Sequence, residues 1–386
     1  MLGVIVALVV QGAWELTHRV LIENGLGHDR YVSSYALAID IATYSALAIA
    51  AFDAARRLVL ARKLGVQIAA WASLAMVAIL VAGIPIGYLV PGDSSVHDTL
   101  TALMNDAWLA LEIISIAGFA IASGRRGAWL GAIAIGFALL RRHPEGFVGL
   151  GLHVGFTALV LGERVLIAVM AVEIGRSASP PEPDPDRAVR ALRWLELVAW
   201  LDAAFGVVDV GLHAADIAQI VRSLASLSLD IVTIVVVVAS VWSLVRAAIP
   251  RMPRWPFVFA MVCSIAAQAR TSSAWFGMLV RWWGRLDEVP LKPAHWIVTV
   301  PPEVAVLASL ASLVVFARRI GARELSLASA IAFVASAATF IAQVAIGVVD
   351  IPYLMLYVAS AACIAIAYRR AQPAVHRAIK LTDVFS

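Results

Sequence analysis

The sequence predicts an all-α, polytopic integral membrane protein of about twelve transmembrane helices in two parallel six-helix pseudo-repeats, on three observations. Hydrophobic residues fill 62% of the 386 positions and charged residues 15%, with a mean hydropathy of +0.88, whereas soluble domains are nearer half apolar and a quarter charged. Apolar stretches of about 20 residues, long enough to cross the hydrocarbon, recur along the whole chain, with most arginines in the short breaks between them. A proline-rich acidic stretch, Ser177 to Asp186, falls near the midpoint and cannot be helical.

Taken in order, the apolar runs place spans near 2–24, 31–55, 64–90, 98–123, 127–141 and 147–175, then near 191–214, 217–248, 254–282, 295–317, 325–348 and 350–368. The first could pass for a signal-peptide core. No basic segment precedes it and Trp14 to Ile22 continues the helix, so a retained span is expected. The fifth is short enough to be tilted, re-entrant or interfacial. The domain organisation is therefore 1–176 as the first repeat, 177–187 as a cytoplasmic linker, and 188–386 as the second repeat with a short cytoplasmic tail.

Basic residues orient the spans, because cytoplasmic loops collect Lys and Arg. With the N-terminus inside, 20 of the 30 basic residues fall on cytoplasmic segments, among them Arg56, Arg57, Arg62, Lys63, Arg125, Arg126, Arg318, Arg319, Arg369 and Arg370. Eight, including Arg141 and Arg142, fall on the opposite side, and Arg164 and Arg270 lie within spans. Both termini are expected in the cytoplasm, and the Ala-, Val- and Arg-rich composition points to a bacterial inner membrane. The pI of 9.3 reflects arginines facing headgroups, so nucleic acid is not an expected partner. Cys263 and Cys363 lie in apolar spans without a CxxC or Cys/His cluster, which argues against a disulfide framework or a zinc site.

A shift of 190 residues sets Ser33, Leu37, Asp40, Ile41, Thr43 and Arg56 on Ser223, Leu227, Asp230, Ile231, Thr233 and Arg246. A shift of 193 sets Arg125 and Arg126 on Arg318 and Arg319. Six spans per unit would give the halves the same orientation.

Ionisable groups within spans are where function is sought, since each costs several kcal/mol unless it faces protein or water. Asp202, Asp209, His213 and Asp216 follow one another at steps of 7, 4 and 3, a stripe about 60° wide on a helix. It is either a polar seam, a proton or substrate path, or a metal site. Glu15 and His18, one turn apart in the first span, repeat the Asp209 and His213 arrangement, and Asp40 and Asp230 on the second span of each unit should lie at similar depth. Carboxylate beside imidazole can relay protons or ligate a metal. In the sixth span His153, Thr157 and Arg164 share a face, with Glu163 as a local partner for the arginine. Arg270 in the ninth span either neutralises an acid or binds an anionic substrate group. Asn105 and Glu112 share a face of the fourth span, and Glu303 follows Pro301 and Pro302, which should kink or break the tenth. Pro85, between Gly83 and Gly87, marks a similar weak point in the third. Trp282 and Trp283 suit an interfacial belt, and the small-residue stretch 326–338 suits close helix contacts.

The expected pathway residues are thus Glu15, His18, Asp40, Glu112, Asp202, Asp209, His213, Asp230, Arg270 and Glu303. No Walker A, GxSxG, HExxH or dinucleotide motif occurs. The expected function is a proton-coupled secondary transporter of a small solute, with the lipid bilayer and a small molecule or ion as partners, no cofactor, and no enzymatic activity. A non-catalytic subunit of a larger membrane complex is the alternative. A haem or metal protein, with His18, His153 and His213 as the candidate ligands within spans, is the third. The turn from Phe52 to Gly65, FDAARRLVLARKLG, resembles the acidic-then-basic turn between helices two and three of the major facilitator superfamily, though without that motif's glycines. The resemblance spans 14 residues and implies proton-coupled or facilitated flux through a cavity between the halves.

Overall fold

The computed structural model describes residues 2–23, 30–90, 94–141, 152–178, 184–214, 219–247, 254–267, 295–346 and 351–385. These residues form twelve helical segments and, among them, no strand. They are α1 (Leu2–Glu23), α2 (Arg30–Ala55), α3 (Leu60–Leu89), α4 (Ser95–Ser123), α5 (Arg125–Arg141), α6 (Leu152–Ser177), α7 (Pro185–Ala214), α8 (Gln219–Arg246), α9 (Trp255–Ala267), α10 (His295–Arg319), α11 (Arg323–Ile346) and α12 (Ile351–Phe385). The stretches Leu37–Ala55, Arg62–Ile86, Ser95–Ser123 and Gly155–Ser177 are long and apolar enough to cross a bilayer, and Gly3–Leu16, Ile231–Arg246 and Trp255–Ala267 are shorter apolar stretches. Helix is the backbone form such sequences require in lipid, because it satisfies every N–H and C=O within the segment. An all-helical chain with several such spans has the build of a helical membrane protein.

The chain divides into two units, 1–180 and 181–386, with the boundary inside the proline-rich linker. In the first, each helix packs on the next from α1 to α6, α6 returns to α1, and α4 also touches α6. The exposure pattern is inverted relative to a soluble bundle. Glu163 is fully buried while Val165, two residues on, is 61% exposed; Glu112 is 2% exposed and Ile114 44%. Charge faces inward and aliphatic side chains outward, as a hydrocarbon solvent demands. In the second unit α7 packs on α8 and α12, α10 on α11, and α11 on α12. Ser329 and Ala332 of α11 are buried while Leu327, Ile331 and Val334 face outward, so the inner face of this stretch is marked by two small residues.

Local chemistry sets several ends. Asp184 caps α7, accepting at Oδ1 from the Arg187 N–H at 2.9 Å, with Pro185 in the first helical position where its missing donor is no loss. Ser94 caps α4 by accepting from the His97 N–H at 3.2 Å. Gly124, at φ 88°, turns the chain from α4 into α5, and Gly321, at φ 73°, makes the turn between α10 and α11.

Three elements differ from expectation. Helix α10 runs unbroken through Pro301 and Pro302; each proline removes one donor without ending the helix. Helix α3 likewise continues past Pro85 to Leu89. Helix α12 extends from Ile351 through Pro373 to Phe385, so the expected tail is a continuation of the helix, held laterally by Gln372 donating to Glu196 of α7 at 2.8 Å and by the Arg370–Glu324 pair to α11 at 3.1 Å. The fifth span is a true helix of 17 residues, about 25 Å long and thus short of the hydrocarbon thickness of about 30 Å.

Helices α3 and α4 touch backbone to backbone. A Cβ on Gly118 would stand 2.6 Å from the Gly65 carbonyl oxygen, and one on Gly65 would stand 2.7 Å from that of Gly118. Ala69 and Ala122, one turn along, keep the seam narrow, the small-xxx-small solution for membrane helices. Gly118→Val should force the two helices apart and lower stability by about 1–3 kcal/mol, read as a lower thermal midpoint in detergent. An unchanged midpoint would mean that the close approach does not exist.

Candidate functional site

Inside the first unit, five side chains from four helices form one polar cluster. Tyr44 comes from α2, Glu112 from α4, Arg141 from the last position of α5, and Glu163 with Arg164 from α6. Their sequence positions explain the meeting. Tyr44, Glu112 and Arg164 each lie near the middle of a membrane-length helix, so they share a depth once the helices pack. Arg141 ends the short α5, and its side chain reaches the acids of α4 and α6.

The cluster is a quadrilateral of alternating charge. Arg164 donates from Nη1 to Glu163 Oε1 at 2.9 Å, and its Nη2 lies 3.4 Å from Glu112 Oε1. Arg141 pairs closely with Glu112 through Oε2, and its Nη1 stands 3.5 Å from Glu163 Oε2. Each guanidinium thus meets both carboxylates, in contacts that are charge-assisted and geometrically demanding. Arg164 Nη2 also donates to Tyr44 Oη at 3.0 Å, and that hydroxyl donates to Glu112 Oε1 at 3.4 Å. The Arg164 guanidinium lies 5.7 Å from the Tyr44 ring centre, and the ring packs edge-on against Trp108 at 4.8 Å. Arg164 Nε is buried with no hydrogen-bond partner among the described residues.

A second polar contact adjoins this cluster. Gln11 of α1 donates from Nε2 to Asp40 Oδ1 of α2 at 2.8 Å. Asp40 lies one turn before Tyr44 and within coulombic range of Arg164, Glu112 and Glu15. Gln11 is 2% exposed and its carbonyl oxygen has no partner among the described residues. Three buried or part-buried acids, Asp40, Glu112 and Glu163, therefore face two guanidiniums, Arg141 and Arg164.

Of the expected pathway residues, the structure brings Asp40 and Glu112 into this region, with Glu15 half-buried near Asp40. The Glu163–Arg164 pairing expected from adjacency is present. Asn105, expected to share a face with Glu112, is exposed while Glu112 is buried. In the second unit Asp202 accepts from the Thr233 hydroxyl at 3.1 Å, across α7 and α8. The side chains of His18, His153, Asp209, His213, Asp230 and Glu303, and the whole of Asp216, Arg270, Trp282 and Trp283, lie outside the described residues. Among the described residues no group of three or more His, Cys, Asp or Glu is arranged to hold a metal ion.

Sequence reasoning missed Gln11, Tyr44 and Arg141. A tyrosine and a glutamine in apolar spans carry no charge to attract notice. Arg141 was placed among outer-surface basic residues by its position at a span end; its side chain turns inward instead. The signal that could have found it was the shortness of its own helix, 17 residues.

Arg164→Met would leave two buried carboxylates facing one guanidinium. Removing one partner from a buried ion-pair network costs about 3–5 kcal/mol, so this variant should show a much lower thermal midpoint than any single aliphatic change on the outer face, such as Val165→Ala. Equal midpoints for the two would place Arg164 in water.

No protein-family model, curated protein or solved structure matches this chain.

Proposed function

We propose that the chain is a proton-coupled secondary transporter of a small solute, built from twelve membrane spans in two six-helix repeats, with both termini in the cytoplasm of a bacterial inner membrane. The observation that carries this reading is the imbalance of the buried charges among the described residues: Asp40, Glu112 and Glu163 against Arg141 and Arg164. A membrane interior does not tolerate an uncompensated carboxylate. A proton is the simplest compensation, and a site that gains and loses one can couple its passage to another solute.

Duplication is supported by features that recur in both units. Helix α2 begins at 30 and ends at 55, α8 at 219 and 246, which agrees with the 190-residue shift to within a residue. In each unit a polar residue on the first helix bonds one on the second, Gln11 with Asp40 and Asp202 with Thr233, although the 190-residue shift sets Asp40 on Asp230 and Thr43 on Thr233. The first helix of each unit packs on the second and on the last, and the fourth packs on the fifth through a glycine turn of positive φ. The 193-residue shift fails this comparison, because Arg125 and Arg126 open α5 whereas Arg318 and Arg319 close α10. The basic pairs stand on opposite sides of their turns.

The membrane-complex subunit remains as a second reading, favoured by the full mutual pairing of Glu112, Glu163, Arg141 and Arg164. Four charges that satisfy one another can lock four helices without moving anything. Purification in mild detergent followed by reconstitution separates the two. A transporter yields liposomes that acidify or alkalinise with added substrate, with at least a tenfold loss in Asp40→Asn and Asp230→Asn. A stoichiometric co-purifying partner, with no such pH change across a solute panel, would instead support the subunit.

A further inference from the structure

We infer that Asp40 and Gln11 form a proton-binding site in which the Gln11 side-chain amide turns over as the carboxyl group gains and loses its proton. This rests on the proton-coupled reading for its purpose, although its geometry is independent of transport.

The Gln11 amide carries a donor and an acceptor on opposite sides of one plane, and a half-turn exchanges them. Only the donor is engaged. Nε2 points to Asp40 Oδ1 at 2.8 Å, while Oε1, part of a side chain 98% buried, has no partner among the described residues. An orphaned buried acceptor is costly to keep, and its presence beside a carboxylate has a direct chemical use. When Asp40 is ionised, Nε2–H donates to it, as seen. When a proton arrives from water at Asp40 Oδ1, the new O–H needs an acceptor, and the half-turn supplies Oε1. Loss of the proton to water reverses the turn. No covalent bond other than the O–H is made or broken.

The groups acting on Asp40 favour such exchange. Glu15 on α1 and Glu112 on α4 repel its negative charge, and Arg164 on α6 attracts it, but Arg164 is already committed to Glu163, Glu112 and Tyr44. The direct hydrogen-bond partner of the Asp40 carboxylate is thus a neutral amide. A sodium ion at the same place would need a fuller oxygen shell than this one carboxylate and one amide oxygen provide.

The test is infrared difference spectroscopy of the full chain in liposomes, acid minus alkaline, with glutamine labelled at its side-chain carbonyl. We expect a protonated-carboxyl band and a labelled amide band that change together along one titration. Asp40→Asn should lose both. Gln11→Leu should keep the carboxyl band and lose the amide change, and Asp40→Glu, which retains the acid, should show the carboxyl band at a displaced frequency. A carboxyl band that survives in Asp40→Asn, an amide band that stays still while Asp40 titrates, or a change that follows sodium at constant pH would each overturn the inference. Paired bands in a protein that moves no protons would leave the site standing and remove the transporter reading.

Discussion

A charge cannot sit in hydrocarbon without a partner, and the first unit is organised around that constraint. Glu112 and Glu163 are almost fully buried on helices whose outer faces are aliphatic, so two cations had to be brought to the same depth. One, Arg164, is supplied by the residue adjacent to Glu163. The other, Arg141, comes from a helix that stops short. The ring of helices from α1 back to α6 is the scaffold that lets side chains from α2, α4, α5 and α6 converge, and the narrow glycine seam between α3 and α4 draws α4 inward enough to deliver Glu112.

Such a network is weak evidence for stability in itself, since two desolvated ion pairs rarely outperform well-packed apolar residues of the same size. Its worth lies in specificity: breaking any one side leaves a buried charge behind. Asp40 differs from Glu112 and Glu163 in having, among the described residues, an amide and no guanidinium as its hydrogen-bond partner. Helices α4, α5 and α6 thus carry the closed set of charges, and next to it α1 and α2 hold one further carboxylate on a neutral amide.

Much of the fold was legible because hydrocarbon imposes length and polarity on every span. The apolar runs foretold the helices to within a few residues at α2, α5 and α11, and the break at Ser177 to Asp186 coincides with the division between units. Helix α10 continues through Pro301 and Pro302, because neighbouring groups can re-satisfy the backbone that a proline frees. Helix α12 runs on past Arg369, because polar residues there mark the end of an apolar run but not the end of a helix. The site was legible by charge alone. Asp40, Glu112, Glu163 and Arg164 announced themselves as ions in apolar runs, whereas Tyr44 and Gln11 are visible only through the contacts that packing gives them.

Glu112 and Arg141 pair inside the bundle and should depend on one another for stability. A double-mutant cycle on thermal unfolding, with Glu112→Gln, Arg141→Gln and the pair together, measures this directly. The account predicts that the double variant loses less than the two single losses combined, with a coupling of about 1–3 kcal/mol, because each single change strands the other charge. Additive losses would contradict it, placing Arg141 at the headgroups and leaving Glu112 to be compensated elsewhere.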